Sequence, residues 1–186
     1  DPQRRLLLGD PTEDGDPAEA VLKEAHRAVV LGDPGSGKTT ILKLLAINEL
    51  MESRRTTIFL ELHRLASRLR EIHEEAPVRY HPNAINEILF SDISITIPAF
   101  QPVRRNDIQT TPLRQLAILD GLDEVPPGNR QLVTEFIERI PESWDVVVGS
   151  RAVDYQPLRG NWAELTVDVL APEPQGRFLD LWFRNN

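Results

Sequence analysis

The chain has 186 residues, 40% hydrophobic and 27% charged, enough for one well-buried domain of ordinary soluble composition. A formal net charge of -8 argues against the broad basic footprint that nucleic acid demands, and the absence of cysteine excludes disulfides and thiolate metal sites. No apolar run approaches the roughly 20 residues that span a bilayer and no basic-then-apolar leader opens the chain, so the expectation is a cytoplasmic protein without a membrane partner.

Residues 1–27 read as an approach segment. In it, Leu6-Leu7-Leu8 is an edge strand or an apolar latch, Gly9 to Pro17 an acidic turn-rich stretch, and Ala18 to Arg27 a short helix. Ala28-Val29-Val30-Leu31 is a short apolar run of the kind that forms a buried parallel strand. Thr39 to Met51 follows as a helix carrying Ile41, Leu42, Leu44, Leu45, Ile47 and Leu50. Thr56 to Leu62 has the β-branched and apolar content of a second strand. Arg64 to Glu75 reads as a helix with Leu65, Leu69 and Ile72 on one face. From Pro77 to Pro112 prolines interrupt the pattern, leaving a helix over Asn83 to Phe90 and a weak strand over Ser91 to Ile97. Leu116 to Asp120 is a buried strand ending in an acid, Arg130 to Ile140 a helix, and Asp145 to Arg151 a strand ending in a base. Leu165 to Leu170 predicts a further strand and Pro172 to Phe183 an amphipathic helix. Strands alternating with helices imply an α/β fold with a parallel sheet.

Between the first strand and its helix lies Gly32-Asp33-Pro34-Gly35-Ser36-Gly37-Lys38-Thr39, which matches G-x-x-x-x-G-K-[ST] at every required position. Glycines let such a loop curl with its N–H groups turned inward on phosphates. Lys38 sets an ammonium against the β- and γ-phosphates, and Thr39 offers a hydroxyl to Mg²⁺. The following helix would point its N-terminus at the same group. This spacing and context predict binding of a nucleoside triphosphate.

Asp120 supplies the second signal, because an acid at the C-terminal end of a buried strand is where a phosphate-loop protein organises its metal. Asp123 and Glu124 add two carboxylates one step further out. Glu124 is the expected group to orient or deprotonate the attacking water, with Asp123 the alternative. The bland reading of that pair is an acidic turn before Pro126-Pro127. Arg151, closing the strand Val146-Val147-Val148, is placed to contact the γ-phosphate. His26, His63, His73 and His81 lack metal-ligand spacing and read as surface residues, while Trp144, Trp162 and Trp182 read as packing.

In this order, Val29 to Thr40, Leu119-Asp120-Gly121-Leu122-Asp123-Glu124-Val125 and Val146 to Arg151 resemble the NACHT family of signalling NTPases, within the STAND class. The middle segment is the most specific, since an acid, a small residue and then paired acids is that family's variant of the metal motif. Gly149 and Ala152 depart from the usual third segment. The resemblance implies a P-loop NTPase three-layer sandwich with a mainly parallel central sheet over 28–170, and a truncated helical extension beginning over 171–186. It further implies ATP and ADP as ligands, cradled by Gly32 through Thr39 and by Thr40, with Mg²⁺ held by Thr39 and Asp120. Such proteins are switches that rest with ADP, exchange it for ATP when a sensor is engaged, hydrolyse slowly and oligomerise. Effector and sensor domains of a longer chain would be the partners, so this chain reads as an excised NTPase core. The rival readings are a GTPase, a nucleotide-binding interaction module without turnover, and an AAA-type or DNA-handling ATPase. The missing N-K-x-D element disfavours guanine, and the acidic charge disfavours DNA.

Overall fold

The computed structural model describes residues 3–7, 16–17, 25–52, 56–75, 82–91, 114–153 and 155–167. Among these residues seven strands run in chain order as β1 (Gln3–Leu7), β2 (Asp16–Pro17), β3 (Arg27–Leu31), β4 (Thr57–Glu61), β5 (Gln115–Asp120), β6 (Trp144–Ser150) and β7 (Ala163–Val167). The helices are α1 (Lys38–Glu52), α2 (Leu62–Glu75), α3 (Pro82–Ser91) and α4 (Pro127–Glu138), with a 3₁₀ turn at Leu122–Glu124. The strands form one sheet in the order β2-β1-β7-β3-β6-β5-β4, and each of its pairings is parallel.

The strand interiors are apolar at successive positions because both faces of the sheet are covered. Side chains alternate between the faces. Val29, Leu31, Ile58, Leu60, Ala117, Leu119, Val146 and Val148 pack with α2, α3 and α4 through Leu65, Leu69, Ile85, Leu89, Val133, Phe136 and Ile137. Ala28, Val30, Phe59, Leu116, Ile118, Val147 and Leu165 meet Ile41, Leu42, Leu45 and Ala46 of α1 on the other face. Helices on both sides of a parallel sheet make the three layers of a P-loop NTPase fold. No helix among the described residues is long and apolar enough to cross a membrane.

Several expected boundaries move. Helix α4 begins at Pro127 rather than Arg130, with Pro126 as its N-cap. The missing proline N–H is no loss in a first turn, and the fixed φ is already helical. Helix α2 follows β4 directly at Leu62. Arg27 opens strand β3, and Ser91 closes helix α3, so neither belongs to the element expected of it. Ala25 and His26 are not helical either, because the chain there already runs into β3. Residues 18–24 of the helix expected from Ala18, the remainder of the expected strand at 92–97 and the helix over Pro172 to Phe183 lie outside the described residues. Leu6 and Leu7 belong to β1, which pairs with β7 and with β2.

Trp144 anchors α3 to the sheet. It is fully buried, its indole N–H donates to Asn86 Oδ1 at 3.1 Å, and its ring centroid lies 5.7 Å from that of Phe90. Replacing it leaves a large cavity and an unpaired amide oxygen. Trp144→Ala is expected to lower unfolding free energy by about 3–5 kcal/mol, measured by urea denaturation.

Candidate functional site

Because the strands run in one direction, their C-terminal ends share one edge of the sheet, the edge at which open α/β sheets bind ligands. The loop 32–37 leaves β3 there, His63 follows β4, Asp120 ends β5 and Arg151 follows β6. The chain leaves β3 for β4 at the far side of the sheet, while β7 flanks β3 on its other side. Such a reversal of strand order opens a crevice beside the first loop.

The loop is built for close approach. Gly35 and Gly37 have φ of 80° and 86°, a region glycine enters at little cost. Ser36 N–H donates to the Asp33 carbonyl at 3.1 Å, and Ile41 N–H to the Gly37 carbonyl at 2.9 Å, which starts α1 directly behind the loop. Gly32 serves by space instead: a Cβ there would stand 2.5 Å from Ser36 Oγ. Ser36 is buried, and its hydroxyl has no hydrogen-bond partner. Asp33, Pro34 and Gly35 face solvent, as do Thr39 and Thr40, while Lys38 opens the helix half-buried between them.

Thr39 and Asp120 meet. The threonine hydroxyl donates to Asp120 Oδ2 at 2.7 Å. Asp120 is only 7% exposed, and its other oxygen, Oδ1, is buried without a partner. Strand β6 lies between β3 and β5, so this bond passes across the end of β6. Gly149 makes the passage possible. A Cβ on it would stand 2.5 Å from Asp120 Oδ1 and 2.7 Å from Leu42 Cδ1. The departure from the usual third segment therefore has a steric reason in this chain.

Asp123 and Arg151 also meet. Oδ1 of Asp123 accepts the Arg151 backbone N–H at 3.0 Å, and Oδ2 lies 2.8 Å from Arg151 Nε. The carboxylate is 4% exposed and the arginine side chain 44%. Glu124 turns elsewhere. Its Oε2 lies 3.7 Å from His63 Nδ1, and His63 Nε2 lies 3.9 Å from Glu61 Oε2, an oxygen also held by Arg64 at 3.0 Å. His63 is exposed, as expected, and stands between the Glu61 and Glu124 carboxylates, a grouping that the spacing of the sequence does not show. It is the second residue of the helix that follows β4. No group of three or more His, Asp or Glu suited to a metal occurs among the described residues.

A cavity of about 940 Å³ opens at the opposite edge, lined in part by Arg27, Arg114 and Trp162. Two of its four arginines are engaged by the protein itself: Arg27 stacks over Trp162 at 5.2 Å, and Arg114 Nε bonds Asp145 at 2.7 Å. Desolvation by burial lowers the Arg27 pKa from its ordinary value.

The family model of the NACHT domain matches residues 26–173. The chain belongs to the NACHT family. That membership and the site's geometry together make it a nucleotide-binding P-loop NTPase module. No curated protein sequence matches the chain. Among solved structures it is similar to AMPPCP-bound DnaA from Aquifex aeolicus, at 13% identity and TM-score 0.44, covering 87% of this chain and 41% of that one. It is similar to Cdc6p from Pyrobaculum aerophilum at 14% identity and TM-score 0.48, covering 91% and 51%. The Drosophila ORC bound to DNA is matched at 13% identity and TM-score 0.44, covering 87% and 42%. The NACHT chain spans about half or less of the length of these chains.

Gly149→Ala is expected to push the Asp120 carboxylate aside. It should lower stability by about 1–3 kcal/mol in urea, the usual cost of overpacking, and shrink the rise in melting temperature on adding Mg-ADP.

Proposed function

We propose that this NACHT domain is the ATP-binding regulatory core of a STAND-type signalling switch, hydrolysing ATP slowly with Mg²⁺ and coupling nucleotide state to oligomerisation in a longer protein. The observation that carries the reading is the Asp120 carboxylate at the mouth of the phosphate loop. One oxygen is held by Thr39, and the other is buried without a partner. A buried, half-satisfied carboxylate is costly to leave so, and a divalent cation is the chemistry that satisfies it. The donor set fits Mg²⁺, which takes one or two protein oxygens and completes its shell with phosphates and water rather than a cage of acids. When bound, the ion neutralises charge on the β- and γ-phosphates.

The chain's own residues then divide the work. Gly32 through Thr39 cradle the phosphates, and Thr40 extends the loop's contact surface. The backbone N–H groups are offered by Gly35, Gly37, Lys38 and Thr39, since Pro34 has none and those of Gly32 and Ser36 go to the Ser150 and Asp33 carbonyls. Lys38 brings the positive charge, and the start of α1 adds its dipole. Glu124 is more than half exposed, free to orient a water, and is the proposed general base. Asp123 is less suited to that task, since one of its oxygens accepts the Arg151 N–H and the other is ion-paired with Arg151 Nε. Arg151 contacts the γ-phosphate. Adenine is favoured over guanine by the lack of an N-K-x-D element. Effector and sensor domains are the proposed partners, and the cytoplasm the proposed compartment.

Thermal denaturation tests the site. Mg-ATP and Mg-ADP at a hundredfold their dissociation constants should stabilise the chain by about 2.7 kcal/mol, and Lys38→Ala should abolish the rise. Asp120→Asn should keep some nucleotide bound while phosphate release falls to the Lys38→Ala background. Binding with no release above that background in the unaltered chain would reduce the reading to a nucleotide-held interaction module.

A further inference from the structure

We propose that Asp123 is a positioning residue for Arg151, fixing the guanidinium at the angle from which it reads the γ-phosphate; this rests on the reading of Arg151 given above. The burial of the two partners is unequal. The Asp123 carboxylate is 4% exposed and the Arg151 side chain 44%, so the acid is the fixed member and the base the accessible one. The acid is fixed by its turn as well: it lies in the 3₁₀ turn Leu122–Glu124, and Arg130 donates to its carbonyl at 3.3 Å.

The contact pattern then decides what the pair does. Asp123 accepts the backbone N–H of Arg151 at 3.0 Å and pairs by charge with its Nε at 2.8 Å, which fixes the main chain and tethers the guanidinium on one side. The two terminal nitrogens have no partner among the described residues. Those nitrogens form the fork that suits phosphate oxygens. The base is also anchored next to the phosphate loop, because the carbonyl of Ser150, its chain neighbour, accepts the Gly32 N–H at 3.2 Å. One buried carboxylate therefore ties the turn after β5 to the residue after β6, beside the loop after β3. An acid with both oxygens engaged in this way holds a neighbour in place rather than taking a proton from water.

The test uses the purified chain and compares Asp123→Ala, Asp123→Asn, Arg151→Ala and the Asp123→Ala/Arg151→Ala double variant. The readout is the ratio of dissociation constants for Mg-ADP and a Mg-bound non-hydrolysable ATP analogue. Arg151→Ala should move that ratio against the triphosphate by about tenfold, the size of one charge-assisted hydrogen bond, with ADP affinity unchanged. Asp123→Ala should match it, and the double variant should be no worse than either single one. Asp123→Asn keeps an oxygen for the backbone N–H and carries the test should the alanine variant fail to fold; it should shift the ratio in the same direction by less. An unaltered ratio in both Asp123 variants, or effects that add in the double variant, would overturn the proposal while leaving Arg151 as the γ-phosphate contact. An unaltered ratio in Arg151→Ala would overturn both.

Discussion

A single hydrogen bond, from the Thr39 hydroxyl to Asp120, joins the two halves of this site, and much of the surrounding architecture exists to permit it. Its partners are 81 residues apart and belong to elements that are not adjacent, α1 behind β3 and the end of β5. Strand β6 intervenes, and only a residue without a side chain leaves room for the acid at its end, which is Gly149. The ladders continue past the strands to hold this arrangement. Gly32 N–H reaches the Ser150 carbonyl at 3.2 Å, and Gly121 N–H the Gly149 carbonyl at 3.1 Å. The fold thus carries a carboxylate into a nearly dry position and leaves one of its oxygens without a partner. Folding tolerates such a group when a ligand is to complete it.

The parallel sheet explains why the remaining charged groups collect where they do. With α2, α3 and α4 on one face and α1 on the other, the described strands spend their interiors on packing and their C-terminal ends on polar chemistry. Two acids that are neighbours in sequence accordingly have different fates. Asp123 turns inward onto Arg151, while Glu124 remains at the surface near His63. The separation buries one carboxylate against Arg151 and leaves the other exposed, a difference set by position in the turn and not by residue type.

How much of this was legible in the sequence follows from the range of the interactions. The phosphate loop is a local device, so its pattern announced it, and the apolar runs of β3, β5 and β6 were readable because a sheet covered on both faces needs no polar positions. Strand order was less accessible, yet the expectation that the Arg151 strand adjoins the Asp120 strand holds in the pairing of β5 with β6. What could not be read was contact across distant segments. The residues Asp123 and Arg151 are separated by 28 positions, and His63 and Glu124 come together only through the sheet. The same limit hid the reason for Gly149, which looked like a departure from a pattern until the acid beside it was seen. Boundaries at Pro127 and Leu62 slipped because a proline reads as a breaker and a strand can pass into a helix without a turn.

The measurement that bears most directly on the central claim is a crystal structure of the chain grown with Mg²⁺ and a non-hydrolysable ATP analogue. The account predicts phosphates inside the loop 32–37, the metal on the Thr39 hydroxyl and the Asp120 carboxylate turned to it, with Oδ1 no longer without a partner. A nucleotide bound away from that loop, or a metal held elsewhere while the Thr39–Asp120 bond stands unchanged, would contradict it.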